Sequence, residues 1–191
     1  MHRTGHKAEH KAGGHEERRG EPASATVPPM QRPLRWLWLA AAIVVLDLAT
    51  KYAASAWLSY GRPVEVLPFF NLTLLHNTGA AFSFLAGHPG WQRWFFATVA
   101  VGASIGLTIW MSRLKRDETL MAVSLAMIIG GALGNLYDRL VHGYVVDFLS
   151  FHAAGWYYPA FNVADIGITL GAAGLIWESV IGERRRARQR S

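Results

Sequence analysis

Two aspartates, Asp147 and Asp165, are the residues of this chain best suited to chemistry. Each lies beside a long apolar segment, within Tyr144–Phe148 and Phe161–Asp165. A carboxylate is costly to bury at a membrane boundary, so one placed there is a candidate functional residue. Two carboxylates that meet can share one proton and divide the acid and base roles between them. The pair therefore indicates hydrolysis of a peptide bond at a membrane surface.

The composition favours a membrane protein. Hydrophobic residues make up 51% of the 191-residue chain and charged residues only 17%, whereas a soluble domain carries about 25% charged residues. Cysteine is absent, which excludes disulfides, thiolate metal sites and a cysteine nucleophile. The net charge of +6 is concentrated at the two ends, which suggests contact with anionic lipid headgroups. No nucleic-acid-binding module is recognisable, so we expect no nucleic-acid partner.

Four segments reach the roughly 20 apolar residues that a bilayer-spanning helix needs. They run from about Trp36 to Leu58, Trp91 to Met111, Leu120 to Tyr137 and Phe161 to Ile181. Lys and Arg cluster before the first span, after the second and after the fourth, so both termini are predicted to be cytoplasmic. The connections 59–90 and 138–160 are then predicted to lie outside.

These spans predict an all-α membrane protein with four transmembrane helices and a small extracytoplasmic β-rich region. Residues 64–75 are rich in β-branched and aromatic side chains, which predicts one or two short strands. Residues 1–33 are predicted to be a disordered basic tail with three spaced histidines. Residues 34–182 form the predicted four-helix domain, and 183–191 form a basic cytoplasmic tail.

Polar residues inside the spans are also candidates for function. Asp47 and Lys51 are spaced i, i+4 and can pair on one helix face. The other polar groups gather towards the outer half of the bundle, and they are Asn135, Asp138, Arg139, Asn162 and Asp165. Structural ion pairs, Asp47 with Lys51 and Asp138 with Arg139, are equally compatible with the pattern. From the residues alone, a small channel or transporter and a non-catalytic lipid-binding protein remain alternatives.

Several local patterns receive a structural interpretation. Residues 102–106 match G-x-S-x-G, but they lie in mid-span without the preceding strand that this nucleophile motif needs. Lys51 and Ser55 have the spacing of a Ser-Lys dyad, although Asp47 is the simpler partner for Lys51. The first span with Ala54–Ala56 behind it imitates a cleavable signal peptide, but it is too long and three spans follow. Two GxxxG motifs predict close helix packing, at Gly130/Gly134 and Gly167/Gly171.

Five short motifs occur in order along the four spans. They are Asp47–Lys51, Asn77–Phe84, Gly130–Arg139, His142–Phe148 and Phe161–Asp165. On these motifs the chain, over about residues 34–182, resembles the lipoprotein signal peptidases, or signal peptidase II, of bacteria. One departure is Ser150, where relatives often carry an acidic residue; it leaves the aspartate pair intact.

This resemblance implies an aspartic endopeptidase of the bacterial inner membrane, with its active site at the periplasmic face. Such enzymes cut prolipoproteins just before a cysteine that carries a diacylglyceryl group, and the antibiotic globomycin inhibits them. The resemblance assigns catalysis to Asp147 and Asp165 and substrate contact to Asn77, Asn135 and Arg139. It assigns supporting roles to Asp47, Lys51, Asp138 and Asn162. It implies a monomer that works without a metal or cofactor. Besides the substrate, its expected partners are the surrounding membrane lipids.

Overall fold

The computed structural model describes residues 32–79 and 90–190, and these ranges contain four long helices. The helices are α1 (Leu37–Trp57, after a 3-10 turn at Arg32–Trp36), α2 (Trp91–Ser112), α3 (Thr119–Val141) and α4 (Val163–Arg190). Each is long and apolar enough to cross a membrane, with the apolar part of α4 ending at Val180. The four predicted spans are therefore confirmed. The predicted disorder of the N-terminal tail concerns residues outside the described ranges, except for its last two.

Helix α3 is the centre of the bundle, and it packs against α1, α2 and α4. Glycines allow the close approach. A Cβ added to Gly130 would lie 2.8 Å from the Ala40 carbonyl oxygen of α1, and one on Gly171 would lie 2.6 Å from the Ser124 carbonyl oxygen. Both distances are shorter than real Cβ contacts, so these helices meet only because the side chains are missing. The packing role predicted for the two GxxxG motifs is confirmed.

A four-stranded antiparallel sheet lies at one end of the bundle. Its strands, in spatial order, are β1 (Val64–Leu67), β2 (Phe70–Asn77), β3 (Val145–Ala153) and β4 (Trp156–Tyr157). The pairing of β2 with β3 joins the α1–α2 connection to the α3–α4 connection. Both connections therefore lie at the same end of the bundle, as expected when successive spans cross the membrane in alternating directions.

The positions of β1 and β2 confirm a prediction from the sequence, whereas β3 was missed. Strands β1 and β2 lie in the segment 64–75 where strands were predicted, extending to Asn77. Strand β3, which carries Asp147, was not predicted. Its first four residues are all buried, so it lacks the alternation of apolar and polar residues that marks a half-exposed strand. The fold class, four membrane helices with a small β-rich region, is confirmed.

Candidate active site

Asp147 is buried on β3, and both of its carboxylate oxygens accept hydrogen bonds from side-chain amides. Asn77 Nδ2, at the end of β2, donates to Oδ2 at 3.0 Å. Asn162 Nδ2, just before α4, donates to Oδ1 at 2.7 Å. Asn77 is itself exposed, and its Oδ1 accepts the Gly79 N–H at 2.9 Å. Two separate parts of the chain therefore fix the orientation of this carboxylate.

Asp165 is the third residue of α4 and is partly exposed. Its backbone N–H donates to Asn162 Oδ1 at 3.0 Å, and its Oδ2 accepts the Asn162 backbone N–H at 3.3 Å. This reciprocal pattern is a capping box, which satisfies two N–H groups at the start of the helix. Asn135 Nδ2 donates to the other oxygen, Oδ1, at 2.8 Å. The carboxylate is thus held at the positive end of the α4 dipole, which stabilises negative charge.

Asn162 joins the two aspartates. Its side chain is fully buried; Nδ2 contacts Asp147, while Oδ1 accepts from the backbone of Asp165. Nδ2 also lies 3.2 Å from Asn135 Oδ1 and 3.2 Å from the Val146 carbonyl oxygen. The structure therefore brings together the two aspartates that the sequence singled out, on opposite sides of one amide. We refer to Asp147 and Asp165 below as the aspartate pair.

The Asp147 carboxyl has an unusually high pKa. This pKa is raised from 3.8 to about 6, mainly by burial. The hydrogen bond from Asn77 lowers the pKa, and the negative charge of Asp165 raises it. A carboxyl with a pKa in this range can hold or release a proton near neutral pH, as acid–base catalysis requires.

Lys51 is a buried cation whose ammonium is fully partnered. Its Nζ lies 2.7 Å from Asp47 Oδ2, 3.0 Å from Asp138 Oδ2 and 3.0 Å from Asn135 Oδ1. An ammonium group has three N–H donors, so these three acceptors satisfy it. The predicted pair of Asp47 with Lys51 is confirmed. Asp138 pairs with Lys51 of α1. The alternative pair of Asp138 with its sequence neighbour Arg139 is therefore wrong.

The two aspartates bound to Lys51 also hold the backbone beside the aspartate pair. Asp47 Oδ1 accepts the Ala164 N–H at 2.8 Å, and Asp138 Oδ2 accepts the Val146 N–H at 2.9 Å. Each of these N–H groups belongs to the residue directly before one member of the pair. Asp47 and Asp138 therefore hold the backbone next to both members of the pair.

Arg139 lies one turn of α3 beyond Asn135 and is half-buried. Its Nη1 donates to the Asn135 carbonyl oxygen at 3.2 Å, and its guanidinium lies 4.9 Å from the centre of the Phe96 ring. Among residues 32–79 and 90–180, no carboxylate lies within ion-pair distance of Arg139. Its charge nevertheless acts on both members of the aspartate pair. This position leaves the guanidinium available for a ligand.

Gly134 has a role at the site that the sequence analysis did not identify. A Cβ on this residue would lie 2.6 Å from Asp47 Oδ2, so only glycine lets Asp47 reach both Lys51 and the start of α4. The GxxxG spacing pointed to helix packing, and no local signal connected this glycine to a carboxylate 87 positions earlier in the chain.

We expect Gly134→Ala to lower stability by about 1–3 kcal/mol, because the added methyl group must displace a buried, ion-paired carboxylate. Gly102→Ala and Gly106→Ala are matched controls, since a Cβ at either position meets no atom within 4 Å. These controls should leave stability unchanged or slightly raised. Thermal unfolding in detergent measures both effects. Equal melting temperatures for Gly134→Ala and the controls would refute the spacer role.

Metal-ligand geometry does not occur in the part of the chain that the structure describes: no three His, Asp or Glu side chains there converge on one point. The carboxylates of the site face amide, ammonium and backbone N–H donors instead. Such an arrangement can orient two carboxyl groups for proton transfer to and from a peptide bond.

Comparison with known proteins decides the family. Residues 39–181 match the family model for signal peptidase (SPase) II. This chain belongs to the signal peptidase II family. It is 52% identical over 148 residues to the lipoprotein signal peptidase of Yersinia pestis (strain Pestoides F), covering 78% of this chain and 88% of the relative. The same values hold for the lipoprotein signal peptidase of Yersinia pseudotuberculosis serotype O:3 (strain YPIII).

Solved structures agree with this assignment. A bacterial membrane enzyme determined by the in meso method at 1.9 Å resolution superposes with a TM-score of 0.67 at 32% identity, covering 74% of this chain and 90% of that one. A second, at 2.3 Å resolution, gives 0.67 at 31% identity and covers 76% and 87%. Membership of signal peptidase II makes this protein a multi-pass membrane peptidase.

Proposed function

We propose that this member of signal peptidase II is an aspartic endopeptidase that removes signal peptides from diacylglyceryl-modified prolipoproteins. It cuts directly before the modified cysteine. The observation that carries the proposal is the aspartate pair: two carboxyls linked through one buried asparagine, each oriented by amide donors. The curated relatives described above are lipoprotein signal peptidases, which supports this substrate class.

The two members of the pair have different environments, and we assign their roles accordingly. Asp147 is buried and its pKa is raised to about 6, so it is assigned the role of the acid. Asp165 is partly exposed at the start of α4, where the helix dipole favours negative charge, and it is assigned the role of the base. Asp165 takes a proton from water as the water oxygen attacks the scissile carbonyl, while Asp147 donates its proton to the carbonyl oxygen. Collapse of the tetrahedral intermediate transfers the proton from Asp165 to the leaving amine, and Asp147 recovers its own proton.

The remaining polar residues position the substrate or the pair. Asn77, which is exposed, and Arg139, which is half-buried, contact the peptide backbone of the substrate. Asn135 contributes on the same side and also holds Asp165. A framework of Asp47, Lys51, Asp138 and Asn162 keeps the pair in place. The protein acts as a monomer without metal or cofactor, and globomycin inhibits it by occupying the site.

The location of the pair suits a lipid-modified substrate. The charge pattern of the spans supports cytoplasmic termini and a site at the periplasmic face of the inner membrane. A peptide bond at this level has access to water, while the acyl chains of the same substrate remain in lipid.

The direct test incubates the full-length protein with a diacylglyceryl-modified precursor and with the same precursor unmodified. Mass spectrometry should show a product that begins at the lipidated cysteine, formed only from the modified precursor and suppressed by globomycin. Cleavage at another bond, or equal cleavage of both precursors, would refute the proposed specificity.

The protonation of Asp147 makes a separate prediction. Because its pKa is raised to about 6, the protonated form should disappear as the pH rises through about 6. Infrared difference spectroscopy should show a carboxylic acid C=O band with this midpoint, absent from Asp147→Asn. Asp165→Asn removes a repelling charge and should move the midpoint to lower pH. Asn77→Leu removes a hydrogen bond to the ionised form and should move it to higher pH. Shifts of the opposite sign would contradict the assignment.

A further inference from the structure

A groove of about 390 Å³ opens beside Asp165 and continues along the outward face of α4. Ile166, Thr169 and Leu170 form its floor, and residues 158–161 form its wall. Since a helix rises 1.5 Å per residue, Leu170 lies roughly 7.5 Å further along the helix than Asp165. The groove therefore leads from one member of the aspartate pair towards the part of α4 that lies in the membrane.

The wall of the groove is attached to the strand that carries Asp147. Phe161 N–H donates to the Leu149 carbonyl at 3.0 Å, and Leu149 N–H donates back to the Phe161 carbonyl at 2.9 Å. Tyr158 N–H donates to the Phe151 carbonyl at 2.9 Å. These bonds fix the position of the groove relative to both members of the aspartate pair. A ligand in the groove would thus have a defined distance from the scissile bond.

One hydroxyl in the groove differs from the threonine hydroxyls of α1 and α2. Thr50, Thr98 and Thr108 each donate to a carbonyl three or four residues earlier in their own helix. Thr169 is exposed, and its hydroxyl makes no such bond within the described ranges. It lies one turn from Asp165 on the same face of α4. Apart from Asp165, two of the described residues that line the groove carry a hydroxyl, Tyr158 in its wall and Thr169 on its floor. The Thr169 hydroxyl is the one on α4, between the apolar side chains of the floor.

We propose that this groove binds the diacylglyceryl group of the substrate. An acyl chain lies against Ile166 and Leu170, and the Thr169 hydroxyl donates a hydrogen bond to an ester carbonyl of the glyceryl unit. The inference rests on the proposed function, in which the lipidated cysteine directly follows the scissile bond. The lipid must then begin within one residue of the aspartate pair. The groove satisfies this condition because Asp165 belongs both to the pair and to the lining of the groove.

The first test fills the groove. We compare two precursors of identical sequence, one with long acyl chains and one with very short chains. Leu170→Trp should lower kcat/KM for the long-chain precursor by about tenfold, because the ring occupies the path of the chain. It should leave the short-chain precursor within a factor of about two. Ile176→Trp is the matched control, an exposed apolar position on the same helix outside the groove, and it should affect neither precursor.

The second test concerns the hydroxyl. Thr169→Val keeps the shape of the side chain and removes its donor, so kcat/KM for an ester-linked precursor should fall roughly fivefold. An ether-linked precursor has no ester carbonyl, so Thr169→Val and the unsubstituted protein should cleave it with the same kcat/KM. This difference separates a hydrogen bond to substrate from a change in folding, which would lower both rates.

Other outcomes would overturn the inference without touching the proposed function. If bilayer lipid occupied the groove, Leu170→Trp would leave both precursors unaffected. If the groove bound the peptide part of the substrate, Leu170→Trp would lower kcat/KM equally for both precursors. Failure of the proposed function itself is distinct, since the protein without substitutions would then cleave neither precursor before its lipidated cysteine.

Discussion

Asp147→Asn and Asp165→Asn should each reduce cleavage of a lipidated precursor by about a thousandfold or more. An amide cannot donate a carboxylic acid proton or take one from water, and each such transfer contributes about 100- to 10,000-fold to a rate. The two groups act as one unit, so the double variant should lose little more than either single variant. Single-turnover cleavage, followed by mass spectrometry, measures the loss.

These substitutions should preserve the fold, which makes the result interpretable. In Asp165→Asn the remaining carbonyl oxygen can still accept the Asn162 backbone N–H, and the backbone half of the capping box is untouched. Asp117→Asn, at an exposed position between α2 and α3, is the matched control. Its activity and melting temperature should equal those of the unmodified protein. Cleavage above about one-tenth of the normal rate in either site variant would refute the paired mechanism.

Lys51→Met should destabilise the protein by about 3–5 kcal/mol, because it leaves two buried carboxylates without their cation. Lys51 contacts Asp47 and Asp138 at 2.7 and 3.0 Å, and both carboxylates are almost completely buried. Asn135 also loses the donor that orients its side-chain oxygen. Thermal or denaturant unfolding in detergent measures the stability, and the fraction that remains folded should cleave its precursor more slowly.

A charge-neutral variant distinguishes electrostatics from packing. Lys51→Met combined with Asp47→Asn and Asp138→Asn removes all three charges but keeps oxygen acceptors for the Ala164 and Val146 N–H groups. It should recover much of the lost stability. Lys115→Met, at an exposed position, should change stability by less than about 0.5 kcal/mol. If the neutral variant is as unstable as Lys51→Met, the loss arises from packing rather than from unpaired charge.

The spans were predictable because their signal is local, but two of their ends were not. The third span was predicted to end at about Tyr137, whereas α3 continues to Val141. Asp138 and Arg139 read as the end of an apolar segment, yet they remain helical because Lys51 and the Asn135 carbonyl partner them inside the bundle. Helix α4 continues to Arg190, beyond the predicted Ile181. The Arg, Glu and Ala residues after the span are good helix formers even outside a membrane.

The aspartate pair could be selected from the sequence, but its partners could not. No cation adjoins Asp147 or Asp165 in the chain. The structure brings Lys51 of α1 and Arg139 of α3 near enough for their charges to act on the pair. It also brings Asn77, 70 residues away, onto Asp147. Such contacts depend on the pairing of β2 with β3, whose register has no local signature in a continuously buried strand.

The sequence by itself determined the membrane class, four spans, the family motifs and the two aspartates at the edge of the apolar segments. Those features rest on residue type and short spacing, as does the capping box between Asn162 and Asp165. Only the tertiary structure decided which partners surround each carboxylate. Asp47 and Asp138 share one ammonium and hold backbone N–H groups, while the aspartate pair is oriented by amides. A charge obtains its role from its nearest partners, and in a folded chain those partners come from distant positions.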